Sequence, residues 1–320
     1  MGNDIFRMKE QSVLDRTLAD LTSGNETEQD DKTLVHPEIE DKLLFKCFDF
    51  EHFISELVKY FTDAQGKEHK ALTMTTAEQL FLTKIDIPHM SSFFNNLLKT
   101  YKDKNRQLSE CAIKAFIKVI DDQIKERYLC NLTLLHTLAI PFIFCKGRPV
   151  DKLQYFHLFF KDETSKQMQI TSYTRDLIFS CLCICTYGIR ELKIKIREQE
   201  ELALRAKTNK TRTKTTSNNE SANGNESVLG EAEKKEIYDE MKELCDMTAL
   251  NETLSGIEYD LAGIDINNEE EVPGKKSISW ENLYSRYMEK TLKFSIFNPY
   301  LLRKYVRENY KKIYNPTGGF

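Results

Sequence analysis

The central part of the chain reads Lys152-Leu-Gln-Tyr-Phe-His-Leu-Phe-Phe160-Lys-Asp-Glu-Thr-Ser-Lys-Gln-Met-Gln-Ile170-Thr-Ser-Tyr-Thr-Arg-Asp-Leu-Ile178-Phe-Ser-Cys-Leu182. Apolar residues recur in its first third at spacings of three and four, which predicts an amphipathic helix; they are Leu153, Phe156, Phe159 and Phe160. Residues 161–167 are polar and cannot continue that stripe. Met168 and Ile170 alternate with glutamines, a period of two that indicates a short strand, and a second apolar segment begins at Leu177. The stretch therefore predicts a helix, a polar loop, a very short strand and a second helix.

This layout resembles an EF-hand, in which two helices are joined by a loop that contributes a tiny strand. The stretch is similar to the third hand of the four-hand calcium-sensor superfamily, which includes calcineurin B-like and neuronal-calcium-sensor-like proteins. The resemblance implies a mainly α fold with two lobes of paired, degenerate EF-hands and very short strands. Flanking helices and disordered insertions are expected around the lobes.

Three further hands are expected beside the third. The first is predicted to place its strand at Leu108, after polar residues 102–107, and the second to place its strand at Leu132. The fourth ends in Ser277-Ile-Ser-Trp-Glu-Asn-Leu283, which resembles the family pattern Ile-Ser-aromatic-Glu-Glu-Phe. In this chain Asn282 stands where the family has its bidentate glutamate.

The predicted loops lack the oxygen ligands that calcium requires. An EF-hand supplies them from loop positions one, three, five and twelve, with glycine at position six for the turn. The first loop keeps only Asp103 and Asn105, and it has Arg106 where glycine belongs. The register of the third loop stays open. Counting from Phe160 gives Lys161, Glu163, Ser165 and Ser172 as ligand positions, whereas counting back from Ile170 gives Glu163, Ser165, Gln167 and Thr174.

The candidate metal-ligating residues are accordingly Asp103, Asn105, Glu163 and Asp265, the last in an acidic segment at 260–271. Because neither register of the third loop has a carboxylate at position twelve, the hands are predicted to be structural. No cofactor is expected, and calcium binding is the alternative.

The resemblance also assigns a groove for an amphipathic partner helix. The residues expected to line it are apolar and lie on the predicted hand helices: Phe94, Leu98, Phe116, Phe156, Phe159, Phe160 and Ile178. An amphipathic helix predicted over 299–314 is a second candidate occupant, from within the chain.

Composition divides the chain into five parts. They are a disordered N-terminal tail (1–34), an N-terminal helical lobe with pseudo-EF-hands (35–146), the third pseudo-EF-hand with a long charged helix (147–206), a disordered basic and polar insertion (207–230), and the fourth pseudo-EF-hand with an expanded acidic loop and the C-terminal helix (231–320). A basic arm without acidic residues spans the third boundary; its cations are Arg205, Lys207, Lys210, Arg212 and Lys214. An acidic filament surface is its candidate partner.

Composition also narrows the class of protein. Only 12 Gly and 7 Pro occur in 320 residues, which favours helix. Eight cysteines without a recognisable signal peptide favour reduced thiols and a cytoplasmic location. The net charge of −4 does not favour nucleic acid as a partner, and the longest apolar run, 132–145, is interrupted by polar residues, so no transmembrane segment is predicted.

The resulting prediction is a non-enzymatic structural or interaction subunit of an intracellular assembly, which binds partner helices through EF-hand-type grooves. The chain has no nucleotide-binding or hydrolase motif, so no catalytic residue is assigned. Resemblance to calaxin-like proteins, which have EF-hands and attach dynein arms to microtubules, favours a cytoskeletal setting such as the axoneme of a cilium. The alternative is a calcium-responsive sensor or adaptor switch.

Overall fold

Helices carry most of the described chain, and the prediction of a mainly α protein with very short strands is confirmed. The computed structural model describes residues 34, 36–40, 42–63, 80–81, 83–99, 106–128, 132–162, 164–212, 229–262, 277–289 and 296–315. The elements below all belong to one compact unit, Pro37–Phe320. Among the described residues, no helix is long and apolar enough to cross a lipid bilayer.

In chain order the elements are α1 (Pro37–Glu40), a 3-10 turn (Leu44–Cys47), α2 (Phe50–Asp63), α3 (Ile87–Leu98), α4 (Arg106–Tyr128), α5 (Leu134–Thr137), α6 (Ala139–Phe144), α7 (Pro149–Phe159), β1 (Met168–Gln169), α8 (Ser172–Cys183), a π-turn (Ile184–Gly188), α9 (Ile189–Arg212), α10 (Glu231–Glu240), α11 (Met247–Ala262), β2 (Ser277–Ile278), α12 (Trp280–Glu289) and α13 (Pro299–Tyr314).

The first helical region is broken rather than continuous, because Asp49 starts a new helix. Its Oδ1 accepts hydrogen bonds from the N–H groups of Glu51 and His52, both at 3.1 Å, which caps α2. The backbone on either side of Asp49 pairs in parallel with Lys146: the Phe50 N–H donates to the Lys146 carbonyl at 2.8 Å. This bridge ties the start of α2 to the end of α6.

Two helix–strand–helix units meet through a short pairing at Lys84. The N–H of Ile85 donates to the Leu132 carbonyl at 3.0 Å, and the N–H of Leu134 donates to the Thr83 carbonyl at 2.8 Å. Lys84 therefore lies opposite Thr133 in an antiparallel bridge. One unit contains the helical residues Leu80 and Phe81, the Lys84 segment and α3; the other is α4, the Thr133 segment and α5 with α6.

The strand predicted at Leu108 is wrong, because Leu108 lies inside the 23-residue helix α4. The polar residues before it include Arg106, which begins that helix and pairs with Glu110 one turn later at 2.9 Å. The partner of the Leu132 strand is instead the segment around Lys84, two helices earlier in the chain.

A second pair of units meets through β1 and β2. These strands are antiparallel, with Met168 opposite Ile278 and Gln169 opposite Ser277. The strand predicted at Met168 is thus present, flanked by α7 and α8. Strand β2 is flanked in the same way by α11 and α12.

Helices α8 and α9 form one long helical path, on which α10 packs. Helix α8 passes through the five-residue π-turn into α9. Gly188 is needed there, since a Cβ would lie 2.8 Å from the Phe116 ring. Helix α10 folds back on α9, with Lys193 2.6 Å from Glu240 and the apolar contact of Ile194 and Ile237.

Several predicted boundaries fall at or outside the described residues. Residues 207–212 of the predicted insertion continue α9, whereas 213–228 lie outside the described part. The same holds for 1–33 of the predicted tail and for 263–276, most of the predicted acidic loop.

The C-terminal helix α13 packs within the chain, most extensively against α11. Asn298 caps it by accepting from the N–H groups of Tyr300 and Leu301. Gly256 of α11 lets the two helices approach, because a Cβ there would lie 2.1 Å from the Tyr305 hydroxyl oxygen.

Replacing Gly256 with alanine is expected to lower the free energy of unfolding by about 1–3 kcal/mol, since Tyr305 must move. Removing the clashing hydroxyl with Tyr305→Phe should recover part of that loss in the double variant. Urea denaturation of both single variants and the double variant measures this coupling. Ser255→Ala, exposed on the same helix, controls for helix propensity; equal losses in the single Gly256→Ala and double variants would contradict the close approach.

Candidate functional site

The four candidate metal ligands cannot be placed. Asp103, Asn105, Glu163 and Asp265 all lie outside the described residues. Within the part of the chain that the structure describes, no cluster of three or more His, Cys, Asp or Glu side chains could hold a metal ion.

The loop between α7 and β1 is closed by its own hydrogen bonds. The Asp162 N–H donates to the Gln167 carbonyl at 2.8 Å, and the Gln169 N–H donates to the Phe160 carbonyl at 2.8 Å. The Asp162 carboxylate accepts from the N–H groups of Thr164 at 3.1 Å and Ser165 at 2.7 Å. The loop is therefore a small hairpin in which Lys161 lies opposite Met168.

The two registers left open by the sequence each describe one end of this loop. Strand pairing follows the count from Phe160, because its eighth residue, Met168, lies opposite Ile278. The start of α8 follows the count from Ile170, because Thr171 is the N-cap residue and its N–H donates to Thr174 Oγ1 at 3.3 Å. The loop is thus two residues longer than a twelve-residue EF-hand loop. In the first register Gln167 is position seven, whose carbonyl would bind calcium, and here it accepts from Asp162.

Lys166 adopts a left-handed conformation in this hairpin, with φ of 60°. In the count from Phe160 it occupies position six, where EF-hands place glycine. The turn therefore keeps the backbone shape of that position without the residue that adopts it at least cost.

The residues predicted to line a partner groove are buried in the described structure. All seven of its residues, from Phe94 to Ile178, are buried, and none is more than 8% exposed. Phe297, just before α13, supplies part of the cover: its ring lies 5.7 Å from Phe156 and 4.9 Å from Phe142. Phe116 stacks on Phe144 at 5.1 Å. The seven residues form the core because segments distant in sequence fill the space beside them.

Arg303 of α13 is the largest fully buried side chain among the described residues. Its Nη2 lies 2.6 Å from Glu40 Oε1, and its Nη1 donates to the Cys185 carbonyl at 3.4 Å. It therefore joins three places: α1, the π-turn and α13. Further along α13, Asn309 donates to Thr253 Oγ1 at 3.0 Å.

Two other titratable groups are buried against the same core. Lys152 donates from Nζ to the Phe142 carbonyl at 2.7 Å near the end of α6, and burial lowers its pKa to about 8. His136 accepts from the Thr133 N–H at 3.1 Å, and burial lowers its pKa to about 4. Both groups stabilise backbone turns at helix ends, and neither lines the cleft described below.

The basic arm is only partly placed. Arg205 lies on the exposed part of α9, with its Nε 3.1 Å from Glu201. Lys207, Lys210 and Arg212 belong to the last two turns of the same helix, and Lys214 lies outside the described residues. The arm therefore begins on the long charged helix, and that helix continues into the predicted insertion as far as Arg212.

A cleft of about 470 Å³ lies beside the Lys84 pairing, between that segment, the start of α3 and α4. Its lining includes Lys84, Ile87, Pro88, Asp121, Lys125 and Leu132. Sequence reasoning missed it, although Asp86 followed by Pro88 is a recognisable helix start. The Asp86 carboxylate caps α3 by accepting from the His89 N–H at 2.7 Å.

Comparison with protein-family models, with curated proteins and with solved structures finds no match for the chain.

Substituting Lys166 with glycine is expected to raise the free energy of unfolding by about 0.5–1 kcal/mol, because glycine adopts the left-handed conformation without Cβ strain. Urea denaturation checks the sign. Thr164→Gly, in the same loop but without a positive φ, is the matched control and should lower stability. A loss for Lys166→Gly of the same size as in the control would exclude the strained turn.

Changing Glu40 to glutamine should lower the free energy of unfolding by about 3 kcal/mol, because the buried Arg303 cation loses its charged partner. Arg303→Met should cost less, since it leaves Glu40 with 14% of its side chain exposed to water. Thermal and urea unfolding compare the two variants with Lys312→Met, an exposed cation of the same helix. Equal, small effects of all three would show that the pair contributes little.

Proposed function

We propose that this chain is a non-enzymatic interaction subunit built from four degenerate EF-hands in two pairs, which acts as a calcium-independent scaffold. Four helix–strand–helix units support the paired arrangement. They are joined by antiparallel pairings, Lys84 with Thr133 and Met168 with Ile278. Paired EF-hands join their loops through short strands in this manner.

The proposal that the role is independent of calcium rests on the hydrogen bonds inside the third loop, between α7 and α8. Its position-seven carbonyl and its backbone N–H groups are already bonded within the hairpin, and two extra residues separate its ends. Calcium at this loop would compete with the Asp162 N–H for the Gln167 carbonyl. The loop is instead a fixed connection between α7 and α8.

The filled core supports a rigid scaffold rather than a clamp that opens around a partner helix. The seven residues first assigned to a groove are covered by the chain itself. Partners would therefore bind on outer surfaces, and the exposed part of α9 that bears Arg205 is one such surface for an acidic partner. We infer a cytoplasmic setting, with a cytoskeletal or axonemal assembly favoured by the resemblance to calaxin-like proteins alone.

The decisive experiment is a calcium titration of the full chain. At calcium up to about 1 mM, which saturates sensor EF-hands, we expect no binding heat in calorimetry and no rise in melting temperature. The emission of Trp280, the single tryptophan, should also stay constant; it begins α12 beside β2 and its ring lies 5.7 Å from that of His157 on α7.

The same immobilised chain should retain the same partner proteins from cell extract in calcium and in chelator. Saturable heat with a higher melting temperature, or partners retained in only one condition, would support the calcium-responsive switch instead. Those outcomes would direct attention to the loops that contain Asp103, Asn105 and Asp265.

A further inference from the structure

The segment around Lys84 has one paired edge and one open edge. The hydrogen bonds to Thr133's strand are made by Ile85 and Thr83, on either side of Lys84. In such a non-hydrogen-bonded pair, the residue's own N–H and C=O point away from the partner strand. Within the described part of the chain, neither of these two Lys84 groups has a hydrogen-bond partner.

The second pair of units shows what covers the corresponding edge there. On the side of β1 away from β2, the chain folds back so that Lys161 lies opposite Met168. The Asp162 N–H and the Phe160 carbonyl complete that edge with two hydrogen bonds of 2.8 Å each. An extended segment thus adds a third strand beside β1.

We propose that the open edge at Lys84 binds an extended segment of a partner protein, which adds as a strand in the place that residues 160–162 take beside β1. The segment would donate an N–H to the Lys84 carbonyl and accept from the Lys84 N–H. This proposal rests on the proposed interaction role and locates one of its contact surfaces.

The adjacent cleft determines which side chains that segment carries. Its apolar wall is formed by Ile87, Pro88 and Leu132, which suits an aliphatic side chain. The Asp121 carboxylate is already 2.5 Å from the Lys125 ammonium, and Asp86 is 2.8 Å from the His89 ring nitrogen. Lys84 is exposed and has no acidic partner among the described residues. The cleft therefore favours an aliphatic residue beside an acidic one.

Amide exchange followed by NMR tests the edge in the free chain. The Lys84 N–H should exchange nearly as fast as an unprotected amide. The Ile85 N–H, bonded to the Leu132 carbonyl, is the internal control and should exchange more slowly by about a hundredfold or more. A protected Lys84 amide in the free monomer would show that the chain covers its own edge and would overturn the proposal.

Linear peptides displayed on phage, selected on the full chain and counter-selected on Lys84→Pro, provide the ligand probe. Proline removes the N–H donor yet is tolerated at sheet edges. Selected peptides should combine acidic and aliphatic residues, protect the Lys84 amide on binding, and lose affinity for Lys84→Pro by about tenfold or more. Lys84→Glu should weaken them too, whereas Lys118→Glu, exposed on α4, should not.

Methylating single peptide amides gives a readout that does not depend on how the proline variant folds. If the peptide binds as a strand, alternate methylations abolish binding and the intervening ones are tolerated. No enriched peptide, insensitivity to Lys84→Pro in a folded variant, or methylation effects without alternation would each overturn the proposal. A dimer of the chain that Lys84→Pro dissociates would identify a second copy as the occupant and overturn it too. If the chain still retains the same partners in calcium and in chelator, the proposed interaction role stands, and only the Lys84 edge is excluded as a contact surface.

Discussion

Two short antiparallel pairings determine which helices of this chain meet. Met168 and Ile278 lie opposite each other, although 110 residues separate them, and both are buried. Each backbone hydrogen bond in such a pairing contributes only about 1 kcal/mol net, so the strands supply little of the stability. They set the register in which α7, α8, α11 and α12 bring their apolar faces together. The burial of those faces then supplies most of the favourable free energy.

The C-terminal helix makes this arrangement depend on residues near both ends of the described chain. Burying a guanidinium costs several kcal/mol unless its partners are in place. Arg303 has Glu40 at 2.6 Å and the Cys185 carbonyl at 3.4 Å, so α13 is stable in its place only while α1 and the π-turn are in theirs. Phe297 adds an apolar contact with Phe142 and Phe156 beside the same helix. A charge placed in this way favours one arrangement of helices over others.

The local elements could be predicted where the pattern of apolar and polar residues in a segment matches the environment in which that segment lies. Met168 alternates with polar neighbours and does form a strand, and the Asn298–Pro299 sequence does begin a helix. The strand prediction at Leu108 failed because the polar residues before it are as compatible with a charged first helical turn as with a loop. The burial of the predicted groove residues could not be foreseen, because no local pattern shows that Phe297 returns to pack on Phe156. Contacts of this kind depend on chain segments more than a hundred residues apart, and amphipathic spacing gives the face of a helix without its neighbour.

The same two extra residues in the third loop have two physical effects. They leave enough chain for Lys161 to fold beside Met168, and the hydrogen bonds that close this hairpin engage the Gln167 carbonyl, position seven in the count from Phe160. Engagement of that carbonyl and protection of the strand edge are therefore one structural feature. The pairing at Lys84 has no such cover among the described residues, and its exposed edge is one charged residue long. Short, lysine-bearing edges resist indiscriminate strand pairing because an incoming strand must leave the ammonium solvated or neutralise it. An acidic segment can neutralise the ammonium and a neutral strand cannot, so the charge that protects this edge also favours an acidic segment there.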